Sequence, residues 1–119
     1  MRTSVGEFLR KVRITRNDIL LKDMAIDLGV SSAFLSAVES GKKKFPSEWF
    51  TKIQEIYDLN DDELMDLKEA VAETNKMVEI NLEGLPLTSK KLAISFARNL
   101  DYIDKDTAEF IYNFLEKKR

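Results

Sequence analysis

Apolar residues recur three and four positions apart through most of the chain, a spacing that is typical of amphipathic α-helices. In the first 75 residues it predicts five helices, at about 4–15, 19–28, 31–40, 47–57 and 61–74. Their inward faces should form one core. The residues expected in that core are Phe8, Leu9, Val12, Met24, Ala25, Leu28, Leu35, Val38, Trp49, Phe50, Ile53, Ile56, Tyr57, Leu64, Leu67 and Val71.

Polar residues that favour helix starts mark several boundaries. Ser4 and Glu7 have capping-box spacing, and Asp18 is the expected cap of the second helix. Asn60 precedes three acidic residues and should cap the fifth helix, because the helix dipole favours negative charge in the first turn.

The pattern changes after Asn75. Residues 77–82 alternate apolar and polar positions, which predicts a short strand. A lone strand leaves its backbone groups unpaired, so its expected partner is the same strand of a second copy across a two-fold axis. The alternative is that the fifth helix continues to Leu82, because Val78 also fits its apolar face.

After a turn at 83–86, two more helices are predicted, the first capped by Thr88 or Ser89. The fold class is therefore mainly α-helical, with a boundary near residue 75 between regions 1–75 and 76–119. The apolar stripes of the second region are expected to serve dimerisation. The residues assigned to that contact are Val78, Ile80, Leu82, Phe96, Leu100, Ile111 and Leu115.

Length and composition limit the possible classes of function. A chain of 119 residues, 44% hydrophobic and 34% charged, fits one ordinary domain or a small domain with an appendage. It has no apolar run of about 18 residues and no start typical of a signal peptide, so a cytoplasmic protein without a membrane span is expected. Because cysteine and histidine are absent, thiolate nucleophiles, zinc-finger ligands and the usual general base are absent too.

No catalytic residue, metal site or cofactor is predicted. Asp61, Asp62 and Asp66 do not indicate a nuclease, because they cluster at a helix start where dipole and solvation account for them. The chain is expected not to be an enzyme.

Charge is unevenly distributed. Residues 1–45 carry nine Lys and Arg against five Asp and Glu, a net charge of +4, whereas the remainder carries ten against sixteen, a net charge of −6. A basic half is typical of a surface that binds phosphate, and a solvated charged face gives the same pattern.

Residues 29–42 predict a tight turn followed by a short helix. Gly29 can take the positive φ that ends one helix, Ser31 can cap the next, and Gly41 can close it. Leu35 and Val38 share the inner face of that helix. The outer face carries only short side chains, so its backbone can approach another surface closely.

Residues 8–64 resemble the helix-turn-helix domain of the Xre and Cro/CI-type repressors of bacteria and phages. The resemblance rests on Met24-Ala25, Leu28-Gly29-Val30-Ser31, Leu35-Ser36, Val38-Glu39-Ser40-Gly41-Lys42, Lys52-Ile53 and Asp62-Glu63-Leu64. It implies a five-helix, lambda-repressor-like fold whose third helix enters the major groove of DNA.

The resemblance also implies roles for individual residues. Its base-facing positions fall on Ser32, Ala33, Ser36 and Ala37. Its phosphate-facing positions fall on Ser31, Ser40, Lys42, Lys43 and Lys44. Lys22 is the candidate substitute for a polar phosphate anchor, since Leu20 and Leu21 occupy the positions where the family has a cap and a glutamine.

Two further positions have other roles. Arg13 resembles the inward arginine of the family that pairs with a glutamate, here Glu39, so this pair is assigned to structure rather than to DNA. Phe34 has two possible placements, in the core against the second helix or toward the DNA.

These features predict a sequence-selective transcriptional regulator, a repressor of phage or mobile-element type, that binds a palindromic operator in double-stranded DNA as a homodimer. The alternative is a protein-binding adaptor, such as an antitoxin or antirepressor, whose C-terminal region captures a protein partner.

Overall fold

In a computed structural model, residues 2–117 are described, and within them every regular element is helical. The elements are α1 (Ser4–Thr15), α2 (Leu21–Leu28), α3 (Ser32–Glu39), α4 (Trp49–Ile56), α5 (Asp61–Asn75), α6 (Leu87–Asn99), a 3₁₀ helix (Leu100–Tyr102) and α7 (Lys105–Lys117). The mainly helical fold class is thus confirmed. The chain divides into two units, Met1–Val78 and Glu79–Arg119, a boundary three residues beyond the one expected from the sequence.

The core of the first unit lies where α1 packs against α2, α3 and α5, and where α4 packs against α2 and α5. Most of the predicted core residues are buried, with Phe8, Phe50 and Leu64 half-buried against them. Ile56 is 44% exposed at the end of α4, so its prediction as a core residue is wrong. The core also includes Val5, Phe45 and Leu59, which the helical pattern did not assign.

Two predicted helix caps in the first unit are wrong. Thr3, not Ser4, caps α1, because its hydroxyl accepts a hydrogen bond from the Gly6 N–H at 3.0 Å. Asp18 is in the left-handed region (φ 51°) and ends the preceding turn, so α2 begins three residues later, at Leu21. The other two caps are confirmed, since Ser31 caps α3 and Asn60 caps α5.

The segment after α5 differs from both sequence-based predictions. Lys76 takes a left-handed conformation (φ 57°) that ends α5, so the helix does not continue to Leu82. Residues 77–82 form neither helix nor strand, and no strand occurs among residues 2–117. A strand requires a ladder of backbone hydrogen bonds to a neighbouring strand, and no such strand is present among residues 2–117.

In the second unit, α6 begins directly after Pro86, so neither Thr88 nor Ser89 is its cap. A proline is well suited to a helix start, because it lacks the N–H that would be unpaired there. No side chain among residues 79–117 is buried. Large apolar side chains are instead at the surface, including Ile80, Leu87, Leu92, Ile94, Phe96, Leu100, Phe110, Phe114 and Leu115.

Candidate nucleic-acid interface

α2 and α3 are joined by a three-residue turn that depends on one glycine. Gly29 takes φ +73°, and a Cβ placed there would have no atom within 4 Å, so the backbone angle rather than space favours glycine. The N–H groups of Gly29 and Val30 donate to the carbonyls of Ile26 and Ala25 at 3.0 and 2.9 Å. These bonds close the end of α2 and fix the direction in which the chain leaves it.

Both ends of α3 are satisfied by local hydrogen bonds. The Ser31 hydroxyl accepts from the Phe34 N–H at 3.0 Å, which leaves the hydroxyl proton available to another acceptor. At the other end, Gly41 takes φ +82° and the Lys42 N–H donates to the Ala37 carbonyl at 2.9 Å. An eight-residue helix therefore begins and ends at defined positions.

The two faces of α3 differ as the sequence predicts. Leu35 and Val38 are buried, whereas Ser32, Ala33 and Ser36 are exposed. Ala37, the fourth residue expected on the outer face, is half-buried. The outer face consequently offers two serine hydroxyls and one exposed methyl group, and none of these side chains extends far from the backbone.

A buried ion pair fixes α3 to α1. The Arg13 guanidinium donates to both Glu39 carboxylate oxygens, at 2.6 and 3.2 Å, and it also lies 3.3 Å from the sulfur of Met24 in α2. Both side chains are about one-tenth exposed. The Thr3 hydroxyl, which caps α1, donates to the Glu39 carbonyl. Neither Arg13 nor Glu39 is therefore placed to contact DNA, and both determine where α3 lies.

Phe34 is half-buried and packs against the core. Its ring meets Trp49 of α4 edge-on, with the ring centres 5.9 Å apart. Trp49 in turn contacts Phe45 edge-on at 5.5 Å. The core placement of Phe34 thus applies, and α4 supplies its edge-on ring contact.

Four lysines lie on the surface near α2 and α3. Lys42, Lys43 and Lys44 are exposed in the loop after α3, and Lys22 is exposed in the first turn of α2. Ser40 differs from the other residues assigned to phosphate, because its hydroxyl donates to the Ala37 carbonyl at 3.1 Å and the residue is half-buried. Ser31 is therefore better placed than Ser40 to donate to a phosphate.

The start of α2 has no side-chain cap. Leu20 is 59% exposed at the N-cap position, and its N–H donates to the Asp23 carboxylate at 3.0 Å. The loop before it turns through two successive left-handed residues, Asn17 and Asp18. Asn and Asp tolerate this conformation better than most other residue types.

The remaining arginines of α1 and its loop have different environments. Arg16 donates to the Tyr57 carbonyl at 2.9 Å and to the Glu63 carboxylate at 3.0 Å, so it joins the α1–α2 loop to α4 and α5. A backbone hydrogen bond from Asn60, and then Arg16, hold the pKa of Glu63 below its ordinary value. Arg2 and Arg10 instead line a hollow beside α3, together with Ser36. The sequence pattern alone predicts no role for these two arginines.

Comparison of the chain with protein-family models, curated proteins and solved structures finds no match. Among residues 2–117, no helix is long and apolar enough to cross a membrane, and no three acidic side chains are grouped where they could hold a metal ion. The geometry of α2, α3 and the lysine loop is therefore the main basis on which a function can be inferred.

Proposed function

We propose that this protein is a transcriptional regulator whose α2 and α3 form a helix-turn-helix that binds double-stranded DNA. The observation that carries the proposal is α3 itself. Its inner face is held by a buried ion pair and apolar contacts, whereas its outer face exposes only short side chains beside a lysine loop. A rigid helix with a low outer face can lie deep in the major groove, where base edges are accessible.

The proposed reading surface is sparse. Strong discrimination between bases typically comes from Arg, Asn or Gln in bidentate contact, each worth about 1–3 kcal/mol. Ser32 and Ser36 can bond to several base edges, and Ala33 can contact a thymine methyl group. Much of the specificity of the regulator therefore comes from the spacing of half-sites and from DNA shape.

Affinity in this proposal depends on phosphate contacts from Lys42, Lys43, Lys44, Lys22 and the Ser31 hydroxyl. Fluorescence anisotropy with a nonspecific duplex, from 50 to 200 mM salt, tests this dependence. The logarithm of the binding constant should fall linearly with the logarithm of salt concentration, by about 0.9 per phosphate neutralised. Affinity that is indifferent to salt would refute DNA binding.

A matched pair of variants assigns the salt dependence to the loop. Lys42→Ala with Lys43→Ala should reduce the slope by about two units. Lys90→Ala with Lys91→Ala removes the same charge from α6 in the second unit and should leave the slope unchanged. If both double variants reduced the slope equally, the reduction would come from the change in net charge and not from contacts between the lysine loop and DNA.

We further propose that the regulator is a homodimer that contacts DNA at two symmetric half-sites. The exposed apolar side chains of the second unit support this, because soluble monomers rarely expose large contiguous apolar surfaces. Residues 77–82 would pair with the same segment of a second copy, because pairing across a two-fold axis would give each segment a neighbouring strand. A repressor of phage or mobile-element type is the form that the sequence resemblance favours.

Sedimentation analysis tests the proposed strand pairing. Ile80→Lys should yield monomers that lose operator binding, because it places a charge within the paired segment. Asn81→Lys introduces the same charge at the next position, on the opposite face of a strand, and should remain dimeric. A dimeric Ile80→Lys variant with unchanged DNA affinity would show that residues 77–82 do not pair.

The exposed apolar residues of the second unit also favour a second candidate function, a protein-binding adaptor. A monomer with these side chains accessible would favour the adaptor, whereas a dimer that buries them would favour the regulator. Binding of an apolar dye to the isolated protein, measured together with its mass in solution, separates the two.

A further inference from the structure

A hollow of about 160 Å³ lies beside the outer face of α3, bordered by the start of α1. Arg2 and Arg10 line it from the α1 side, and Ser36 lines it from α3. Ser36 is one of the exposed residues proposed to read bases. The hollow therefore adjoins the surface that would face DNA.

Glycine at position 6 keeps the two helices close at this point. A Cβ on Gly6 would lie 2.7 Å from the Glu39 carbonyl oxygen, closer than real Cβ atoms approach. The wall of the hollow is consequently formed by backbone at Gly6, and the long side chains of Arg2 and Arg10 can reach a group bound there.

The charge of the hollow favours an anion. The charged residues that line it are Arg2, Arg10, Glu7 and Glu39. The Glu39 charge is already compensated by Arg13 at 2.6 Å, so Glu7 alone opposes the two guanidiniums. Within the part of the chain that the structure describes, the side chains of Arg2 and Arg10 form no ion pair and no hydrogen bond. Their N–H donors are available to a ligand.

We propose that this hollow binds a phosphate of the DNA backbone, with Arg2 and Arg10 as its donors. The inference rests on the proposed DNA-binding function and extends it from α2 and α3 to α1. Planar guanidinium forks match the oxygens of a phosphate and bind it more strongly than neutral donors do. The site supplies a contact to the DNA backbone from the α1 side, whereas Leu20 and Leu21 at the start of α2 have no side-chain donor.

The test is the salt dependence of binding to a nonspecific duplex by Arg2→Gln with Arg10→Gln. Loss of one phosphate contact per protomer reduces the slope by about 0.9 for each protomer on the DNA, so the parent should lose roughly 3.5-fold more affinity per protomer than the variant between 50 and 200 mM salt. Glu7→Gln removes the opposing carboxylate and should tighten binding at low salt. Lys11→Gln is a control for the removal of a positive charge, because Lys11 is exposed on α1 but does not line the hollow.

The outcomes distinguish this site from the proposed function. If the arginine variant keeps the full slope while Lys42→Ala with Lys43→Ala still reduces it, the phosphate site is wrong and DNA binding stands. If Lys11→Gln reduces the slope as much as the arginine variant, the effect is general charge and the site is also wrong. If the parent shows no salt-dependent binding, the proposed function itself fails. Unchanged urea midpoints, followed by Trp49 fluorescence, show that the variants are folded.

Discussion

Removing the carboxylate of Glu39 should destabilise the first unit severely. The side chains of Arg13 and Glu39 are 8% and 10% exposed, and two N–H···O bonds join them. Glu39→Ala leaves the guanidinium buried, with the Met24 sulfur as its remaining side-chain partner. Breaking a buried pair by deleting one partner costs about 3–5 kcal/mol. A unit of this size is stable by roughly 4–12 kcal/mol in total.

Urea unfolding followed by Trp49 fluorescence measures this effect. Trp49 is the single tryptophan of the chain and is 2% exposed in the first unit, so its emission reports that unit alone. With an m-value of about 1–3 kcal/mol per M, the midpoint should fall by at least about 1 M. The double variant Arg13→Met with Glu39→Leu should recover much of the loss, because it leaves no buried charge. A loss below about 1 kcal/mol for Glu39→Ala would mean that the pair behaves like an exposed one and that the reasoning is wrong.

The remaining predictions use the same Trp49 signal. Gly6→Ala, which would favour an isolated helix by about 1 kcal/mol, should lower the urea midpoint, because its Cβ would lie 2.7 Å from the Glu39 carbonyl oxygen. Burial, and then the hydrogen bond to Asp27, raise the pKa of Tyr57 well above its ordinary value, so the folded state favours the neutral phenol. The free energy of unfolding should therefore fall as the pH rises past about 10, where the unfolded state loses this proton. Tyr57→Phe should remove that part of the alkaline loss. Because the pKa of Glu63 is lowered, its carboxylate stabilises the folded state at neutral pH, and this stabilisation is lost as the pH falls through the lowered pKa. The difference in midpoint between the parent and Glu63→Gln should therefore shrink in acid.

Helical periodicity predicted the elements of the first unit well because burial of one apolar face decides most of them. α1 begins and ends at the predicted residues, and the α2–α3 turn follows from the glycine and serine that its geometry requires. Helix caps were less predictable, since adjacent residues with hydroxyl groups can both cap the same helix start. Thr3 caps α1 instead of Ser4 because only Thr3 also reaches the Glu39 carbonyl, 36 residues away. A local pattern contains no information about that contact.

The candidate site was predictable only in part, for the same reason. The outer face of α3 and the lysine loop follow from local sequence. The hollow beside them depends on Gly6, Arg10 and Ser36 meeting across α1 and α3, which is a long-range arrangement. The engagement of Ser40 with the Ala37 carbonyl is local, but the sequence does not determine which acceptor a hydroxyl chooses.

A sparse reading helix makes the proposed dimer necessary for specificity as well as affinity. Suppose that one half-site favours operator over nonspecific DNA by about 2 kcal/mol. A single protomer then binds operator roughly 30-fold more tightly than nonspecific DNA, which is below the affinity ratio of specific regulators. A rigid two-fold dimer adds the two contributions and reaches about 10³-fold, the lower end of that range. The monomers expected from Ile80→Lys should therefore lose discrimination as well as affinity, and their ratio of operator to nonspecific binding should fall to about the square root of the parent ratio. Binding of both proteins to an operator selected from random DNA measures this. An unchanged ratio in a monomeric variant would mean that one copy of α3 supplies the full specificity, and that the outer face has readers beyond Ser32, Ala33 and Ser36.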